Sequence, residues 1–157
     1  MKLSFSTLGC PEWTWAEILA VARDLGFDGI EIRGIMREMF PPRIKIFSDS
    51  NIEKTKKELE SSHLCIPILT SGAYMSDPSQ IPLAEFEMLA YAQLAQKLGV
   101  KYVRIMGENT PGPLTECDIE DIAAEYDKIC EMVSSMGVTP LIETNGILAS
   151  SLKMSQF

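Results

Sequence analysis

The sequence predicts an α/β fold built from parallel strand–helix units, about five strands and four helices forming an incomplete barrel. Three observations predict it. One segment type recurs every 37 residues or so, helix-like and strand-like patterns alternate strictly, and several strands carry one apolar and one polar face.

The recurring segment reads DLGFDGIEIRG from Asp24, KLGVKYVRIMG from Lys97 and SMGVTPLIETNG from Ser135. A degenerate copy, SSHLCIPILTSG from Ser61, has His63 in the glycine slot. The slots Gly26, His63, Gly99 and Gly137 are separated by 37, 36 and 38 residues. That is the size of one strand plus its crossover helix. Glycine just past a helix end takes the left-handed conformation that closes the last turn without a Cβ clash. Histidine is enriched in that region too. The single histidine is therefore read as a helix stop rather than as a ligand.

Between the slots the elements follow in order. Leu3 to Thr7 is the opening strand, and Thr14 with Glu17 forms a capping box for a first helix ending near Leu25. Ser50 and Glu53 are placed to do the same for a second helix running toward Glu60. Pro82 suits the first turn of a third, whose apolar positions include Phe86, Leu89 and Leu94. Asp118 or Thr115 caps a fourth, with Ile119, Ile122, Ala123, Tyr126, Ile129 and Val133 at helical spacing. A strand follows each slot. No composition shift marks a second domain, so residues 1–146 form the α/β part and 147–157 a C-terminal tail.

A length of 157 residues is enough to bury a core without disulfides or structural metal. Fourteen Lys and Arg against twenty-two Asp and Glu give a net charge of −8, which argues against a nucleic-acid partner. Seven of the acids, Glu116, Asp118, Glu120, Asp121, Glu125, Asp127 and Glu131, crowd one stretch and read as a solvated helix face. Cys10, Cys65, Cys117 and Cys130 contain no Cys-x-x-Cys pair, and no apolar run is long enough to span a bilayer. The start MKLSFSTLG has no apolar signal core. A reduced, cytoplasmic protein without a membrane partner is expected.

The loops point to one end of the molecule. Helix-to-strand connections are short, whereas Gly34 to Asp49, Ser71 to Ile81 and Gly107 to Cys117 are long. Long loops at the strands' C-terminal ends carry function in α/β proteins. Trp13, Trp15, Tyr74, Glu108 and Asn109 fall in this zone; the two tryptophans either stack on a ligand ring or pack against a neighbouring loop.

Strand parity adds candidates. Ile30 and Ile32 oppose Glu31 and Arg33, Val103 and Ile105 oppose Arg104, and Leu3 and Phe5 oppose Ser4 and Ser6. An open sheet covered on both sides would be apolar on both faces. One polar face favours a barrel segment with helices outside and a ligand-facing lumen. In the fifth strand Glu143 and Asn145 share a face, groups that suit a hard cation or a polyol.

These residues resemble the xylose isomerase-like TIM barrels, often called sugar phosphate isomerases/epimerases. The resemblance rests on KLSFSTLG, LGFDGIEIRG, LGVKYVRIMG and GVTPLIETNG, and runs from Met1 to about Gly146. It implies a (β/α)8 barrel, a divalent metal (Mn²⁺, Mg²⁺, Co²⁺ or Zn²⁺) and isomerisation or epimerisation of a small sugar or polyol by proton transfer next to a carbonyl. Glu143 matches the family's fifth-strand metal ligand, which often also serves in acid/base transfer. Glu31 and Arg33 match a second-strand polar pair near substrate; Arg104, Asn145 and Trp15 complete the candidate contacts. The family's other metal ligands, an Asp, a His and a Glu, lie on the sixth, seventh and eighth strands. A closed barrel takes about 250 residues, so the sequence covers some four units plus a strand. The expectation is a chain inactive alone.

Two other readings stand beside this one. A non-catalytic interaction module would use the exposed edges of the first and fifth strands to form a homo-oligomer. An open five-stranded, receiver-like domain would fit the length, and strand order distinguishes it: 2-1-3-4-5 for the open sheet, 1-2-3-4-5 for the barrel.

Overall fold

Every helix-stop slot adopts the backbone its residue type suggests. In the computed structural model, which describes residues 1–112 and 118–157, φ is +72° at Gly26, +55° at His63, +74° at Gly99 and +69° at Gly137. Each closes a helix and turns the chain into the next strand. The strands are β1 (Ser4–Ser6), β2 (Gly29–Glu31), β3 (Ile68–Tyr74), β4 (Tyr102–Met106) and β5 (Thr139–Glu143). The helices are α1 (Trp15–Asp24), α2 (Ile52–Ser61), α3 (Ile81–Leu98), α4 (Ile119–Ser134) and α5 (Ser151–Met154).

All pairings between these strands are parallel. β1 pairs with β2, and β3, β4 and β5 pair in that order. Two parallel bridges, Gly29 to Cys65 and Ile32 to Leu69, join the two groups. The strands therefore run 1-2-3-4-5, which is barrel order, and the receiver-like order 2-1-3-4-5 is not what forms. Among the described residues β1 and β5 do not pair with each other, so the barrel is not closed.

Ile30, Ile32, Leu69, Val103 and Ile105 are fully buried in one cluster with Ile18 and Ala22 of α1, Met88, Ala92 and Ala95 of α3, and Ile122, Ile129 and Val133 of α4. At roughly 25 cal/mol per Å² of apolar area, this burial is the main force holding helices to sheet. The Ser71 hydroxyl lies 3.5 Å from the Met88 sulfur, so the helix-facing side of β3 looks onto α3.

Some local expectations hold and others change. α1 carries the Thr14–Glu17 capping box, and Asp118 caps α4 by accepting from the Glu120 amide at 2.9 Å. Thr115, the other candidate cap, lies outside the described residues, as do Glu116 and Cys117. The Ser50–Glu53 box does not form. α2 starts at Ile52, and Asn51 in the cap position turns its amide back to the Lys45 carbonyl and the Ser48 hydroxyl. A 3-10 turn over Lys45–Phe47 competes for those groups and wins. On α3 Leu94 is buried as its spacing suggests, with Ala84, Met88, Tyr91, Ala92 and Ala95, whose small members let the helix lie close to β3 and β4. Phe86 points outward instead and stacks on Phe40, ring centroids 6.2 Å apart.

Among the described residues five helices form rather than four. The segment after β5 makes a 3-10 turn (Gly146–Ala149) and then α5, with Leu148 buried and Phe157 against the Tyr126 ring at 5.3 Å. Among the described residues no helix is long and apolar enough to cross a membrane.

Candidate active site on the polar face of the sheet

The face opposite the helices collects charge because strand parity puts it there. The registers align Ser6 with Glu31, Thr70 with Arg104 and Met106 with Glu143, and aligned residues of parallel strands share a face. Glu31, at the end of β2, is held by two hydroxyls: Oε1 accepts from Ser6 Oγ at 3.0 Å and from Thr70 Oγ1 at 2.7 Å. Its carboxylate thus bridges β1 and β3 across its own strand.

Arg104 and Glu143 meet directly. Arg104 Nη1 donates to Glu143 Oε2 at 2.7 Å, and Nη2 donates to the Ser71 carbonyl at 2.8 Å. The Arg104 side chain is only 13% exposed, against 52% for Glu143. Burial lowers the Arg104 guanidinium from its ordinary value, and the Glu143 carboxylate opposes that shift. Arg104 Nε is buried without a hydrogen-bond partner among the described residues.

A bulge in β3 organises the end of this face. The register shifts between Thr70 and Tyr74, so the Gly72 amide leaves the ladder and donates to Glu87 Oε1 of α3 at 2.6 Å. Bulges recur beside active sites because they re-aim side chains. Arg33 lies over Gly72: a Cβ there would sit 2.9 Å from Arg33 Nη2. Arg33 Nη1 donates to the Met39 carbonyl at 2.8 Å, and its backbone amide donates to Thr7 Oγ1 at 2.9 Å. Beneath it Tyr91 is fully buried, which pushes its phenol well above the usual range, an effect the Glu87 charge adds to.

Asn145 stands at the edge of this cluster. Its amide nitrogen donates to the Glu108 carbonyl at 2.6 Å, while its side-chain oxygen is buried without a partner among the described residues. Glu108 itself is fully buried, and its carboxylate accepts from the Ile147 amide. Trp15 is not brought to this face. Its indole nitrogen donates to Glu58 Oε2 at 2.9 Å and its ring meets Phe47 edge-on, which places it between α1 and α2.

The arrangement thus joins Glu31, Arg33, Arg104 and Glu143, with Asn145 adjacent, and adds Ser6, Thr70, Ser71 and Glu87, which sequence reading did not select. Ser6 shares the polar parity already seen in β1, and the run Thr70-Ser71-Gly72 is a polar signal at a strand end. Glu87 had no signal, because it sits on a helix and reaches the site only through the bulge.

The family model for xylose isomerase-like TIM barrels matches residues 19–147. The chain belongs to that family. Solved structures agree on the fold. The chain is similar to the probable 3-DHS dehydratase AsbF involved in petrobactin synthesis from Bacillus anthracis, at 18% identity and TM-score 0.77, over 99% of this chain and 57% of that one. An L-ribulose 3-epimerase matches at 18% identity and TM-score 0.72, over 99% and 56%. A xylose isomerase-like TIM barrel protein from Mycobacterium smegmatis in complex with magnesium matches at 14% identity and TM-score 0.72, over 99% and 59%. No curated protein matches. The chain therefore spans under three-fifths of the length of these xylose isomerase-like structures.

A divalent ion needs several hard donors converging on one point. Among the described residues no group of three or more His, Cys, Asp or Glu side chains converges in that way. Glu143 offers one carboxylate, already paired with a guanidinium. These residues alone do not make a metal site.

Proposed function

We propose that this chain forms the five-strand part of a sugar or polyol isomerase or epimerase that moves a proton next to a carbonyl. One observation carries the reading: Glu143, at the C-terminal end of β5, pairs with Arg104 of the neighbouring parallel β4, on the face that also holds Glu31 and Arg33. The similarity to an L-ribulose 3-epimerase supports it.

In this reading Glu143 is the acid/base group, with one oxygen held by Arg104 and the other free to reach a substrate C–H. Arg104 is a positioning residue, since a guanidinium fork fixes a carboxylate plane as well as its charge. Glu31 and Arg33 contact substrate hydroxyls, and Asn145 shapes the neighbouring loop end. Trp15 stiffens the α1–α2 layer instead. Glu143 supplies one metal ligand at most; a tightly held Mn²⁺, Mg²⁺, Co²⁺ or Zn²⁺ ion requires donors from further strands, and activity requires them with it. A cytoplasmic location fits this metabolic role.

The test is solvent exchange. The chain joined to strands six to eight of an L-ribulose 3-epimerase, with Mn²⁺ added, is incubated with ribulose in D2O, and loss of the C3 proton is followed by NMR. Glu143→Gln is expected to slow exchange by about 10²–10⁴-fold, the range for losing a general acid–base group. Exchange at the unmutated rate in that variant would overturn the assignment.

A further inference from the structure

The connection that follows β2 begins with a strained hairpin. Ile35 and Glu38 pair in both directions, the Ile35 amide donating to the Glu38 carbonyl at 3.1 Å and the Glu38 amide to the Ile35 carbonyl at 3.0 Å. Between them Met36 and Arg37 both have positive φ, +50° and +66°. A two-residue turn of that kind is the I′ type, which asparagine and glycine usually fill because a larger side chain is strained there. Methionine and arginine have no such tolerance. Nor does burial compensate, since Met36 is 61% exposed. Backbone in this state persists only where its surroundings hold it, and it concentrates at clamps and switches.

Two sets of contacts hold this hairpin. At the tip, the Arg37 amide donates to the Pro11 carbonyl at 2.7 Å and the Arg37 guanidinium pairs with Glu12, both partners lying between β1 and α1. The ion pair is exposed on both sides, so it is a weak fastening. At the base, Thr7 Oγ1 accepts from the Arg33 and Gly34 amides at 2.9 and 3.2 Å. Gly34 admits the returning chain, because a Cβ there would lie 2.7 Å from the Glu38 carbonyl oxygen and from the Met39 sulfur. Met39, the next residue, reaches the polar face. Its carbonyl accepts from Arg33 Nη1 at 2.8 Å and from the Tyr91 hydroxyl at 3.4 Å, and Tyr91 is hydrogen-bonded to Arg33 as well. A strained tip is thus joined to a group that orients Arg33.

We infer that the Ile35–Glu38 hairpin is a sprung strap on Arg33. Fastened to Pro11 and Glu12, it keeps the Met39 carbonyl on the guanidinium; released, it relaxes the turn and withdraws that carbonyl. Arg33 is then left with the Tyr91 hydroxyl and is free to turn toward a ligand. The segment after β1 thereby controls a ligand contact of β2. That consequence rests on the reading of the polar face as the ligand site, whereas the strap itself does not.

Amide hydrogen exchange of the full chain, read by NMR, tests the strap. The Ile35, Arg37 and Glu38 amides should be less protected than those of Val103 and Ile105 in the central strand β4, because the hairpin opens without the sheet. Met36→Gly relieves the turn and should raise the protection of the three amides by about two- to fivefold. Glu12→Gln unfastens the tip and should lower it by about twofold. In protein carrying isotope-labelled arginine, exchange of the Arg33 Nη hydrogens should follow, slower in Met36→Gly and faster in Glu12→Gln. Hairpin amides as protected as those of β4, or unmoved by Met36→Gly or by Glu12→Gln, overturn the strap. Guanidinium hydrogens that ignore a change in the amides overturn its hold on Arg33. Both measurements use no ligand, so they stand or fall apart from the C3-proton exchange that tests the isomerase reading.

Discussion

His63 occupies a left-handed backbone position at φ +55° that its three counterparts fill with glycine. Its amide donates to the Glu60 carbonyl at 3.0 Å, which closes α2. An L-residue with a Cβ loses about 1–2 kcal/mol in this region. Glycine escapes that cost but gives back about 0.5–1 kcal/mol through the freer unfolded chain. His63→Gly is therefore expected to stabilise the protein by roughly 0.5–1 kcal/mol in urea unfolding. Gly99→Ala, where no atom lies within 4 Å of the added Cβ, should lose about 1 kcal/mol from backbone strain alone. A destabilised His63→Gly chain would show that the imidazole makes an interaction beyond closing the turn.

At the scale of elements, a half-buried phenol ties α4 to β5. Tyr126 donates to the Pro140 carbonyl at 2.9 Å and carries the Phe157 ring of the C-terminal segment. Burial first, then the neighbouring Cys130 and Asp127, pushes its pKa from 10.0 up to about 12. A raised phenol stays protonated in the folded chain at pH values where the unfolded chain has ionised. Its contribution to stability is thus complete below pH 10 and is lost as pH rises through about 12. Tyr91 acts in the same direction. Urea unfolding between about pH 9 and about pH 11 should show a steeper loss in the unmutated chain than in Tyr126→Phe. Identical slopes would mean that the phenol titrates as it does in water. The segment that continues from β5 is equally well anchored: Leu148 is 1% exposed, and a Cβ on Gly107 would come within 2.7 Å of it.

At the scale of the whole molecule, β1 and β5 each pair on one side only among the described residues. Among the described residues no strand lies on their other sides; on β5 that edge is partly blunted, since Pro140 has no N–H and its carbonyl accepts from Tyr126, and Leu141 is 39% exposed. Strand edges in this state are templates for further pairing. We propose that they draw the chain into a homo-oligomer, and light scattering should give a mass above that of one chain. A monodisperse monomer would count against it.

Sequence by itself determined the strand–helix alternation, the helix stops and the polar parity of β1, β2 and β4. Each follows from local chemistry: a glycine or histidine tolerant of positive φ, a cap one turn from its partner, a side chain every second residue. Only the tertiary structure decided which polar residues meet. Glu87 reaches Gly72 across a bulge that no periodicity encodes, and Trp15 is drawn to Glu58 of α2, 43 residues away. Those partners come from how the elements pack, and packing depends on contacts between residues far apart in the chain. The pairing of Arg104 with Glu143 needed both levels: parity put them on one face, and the parallel register of β4 on β5 brought them to 2.7 Å.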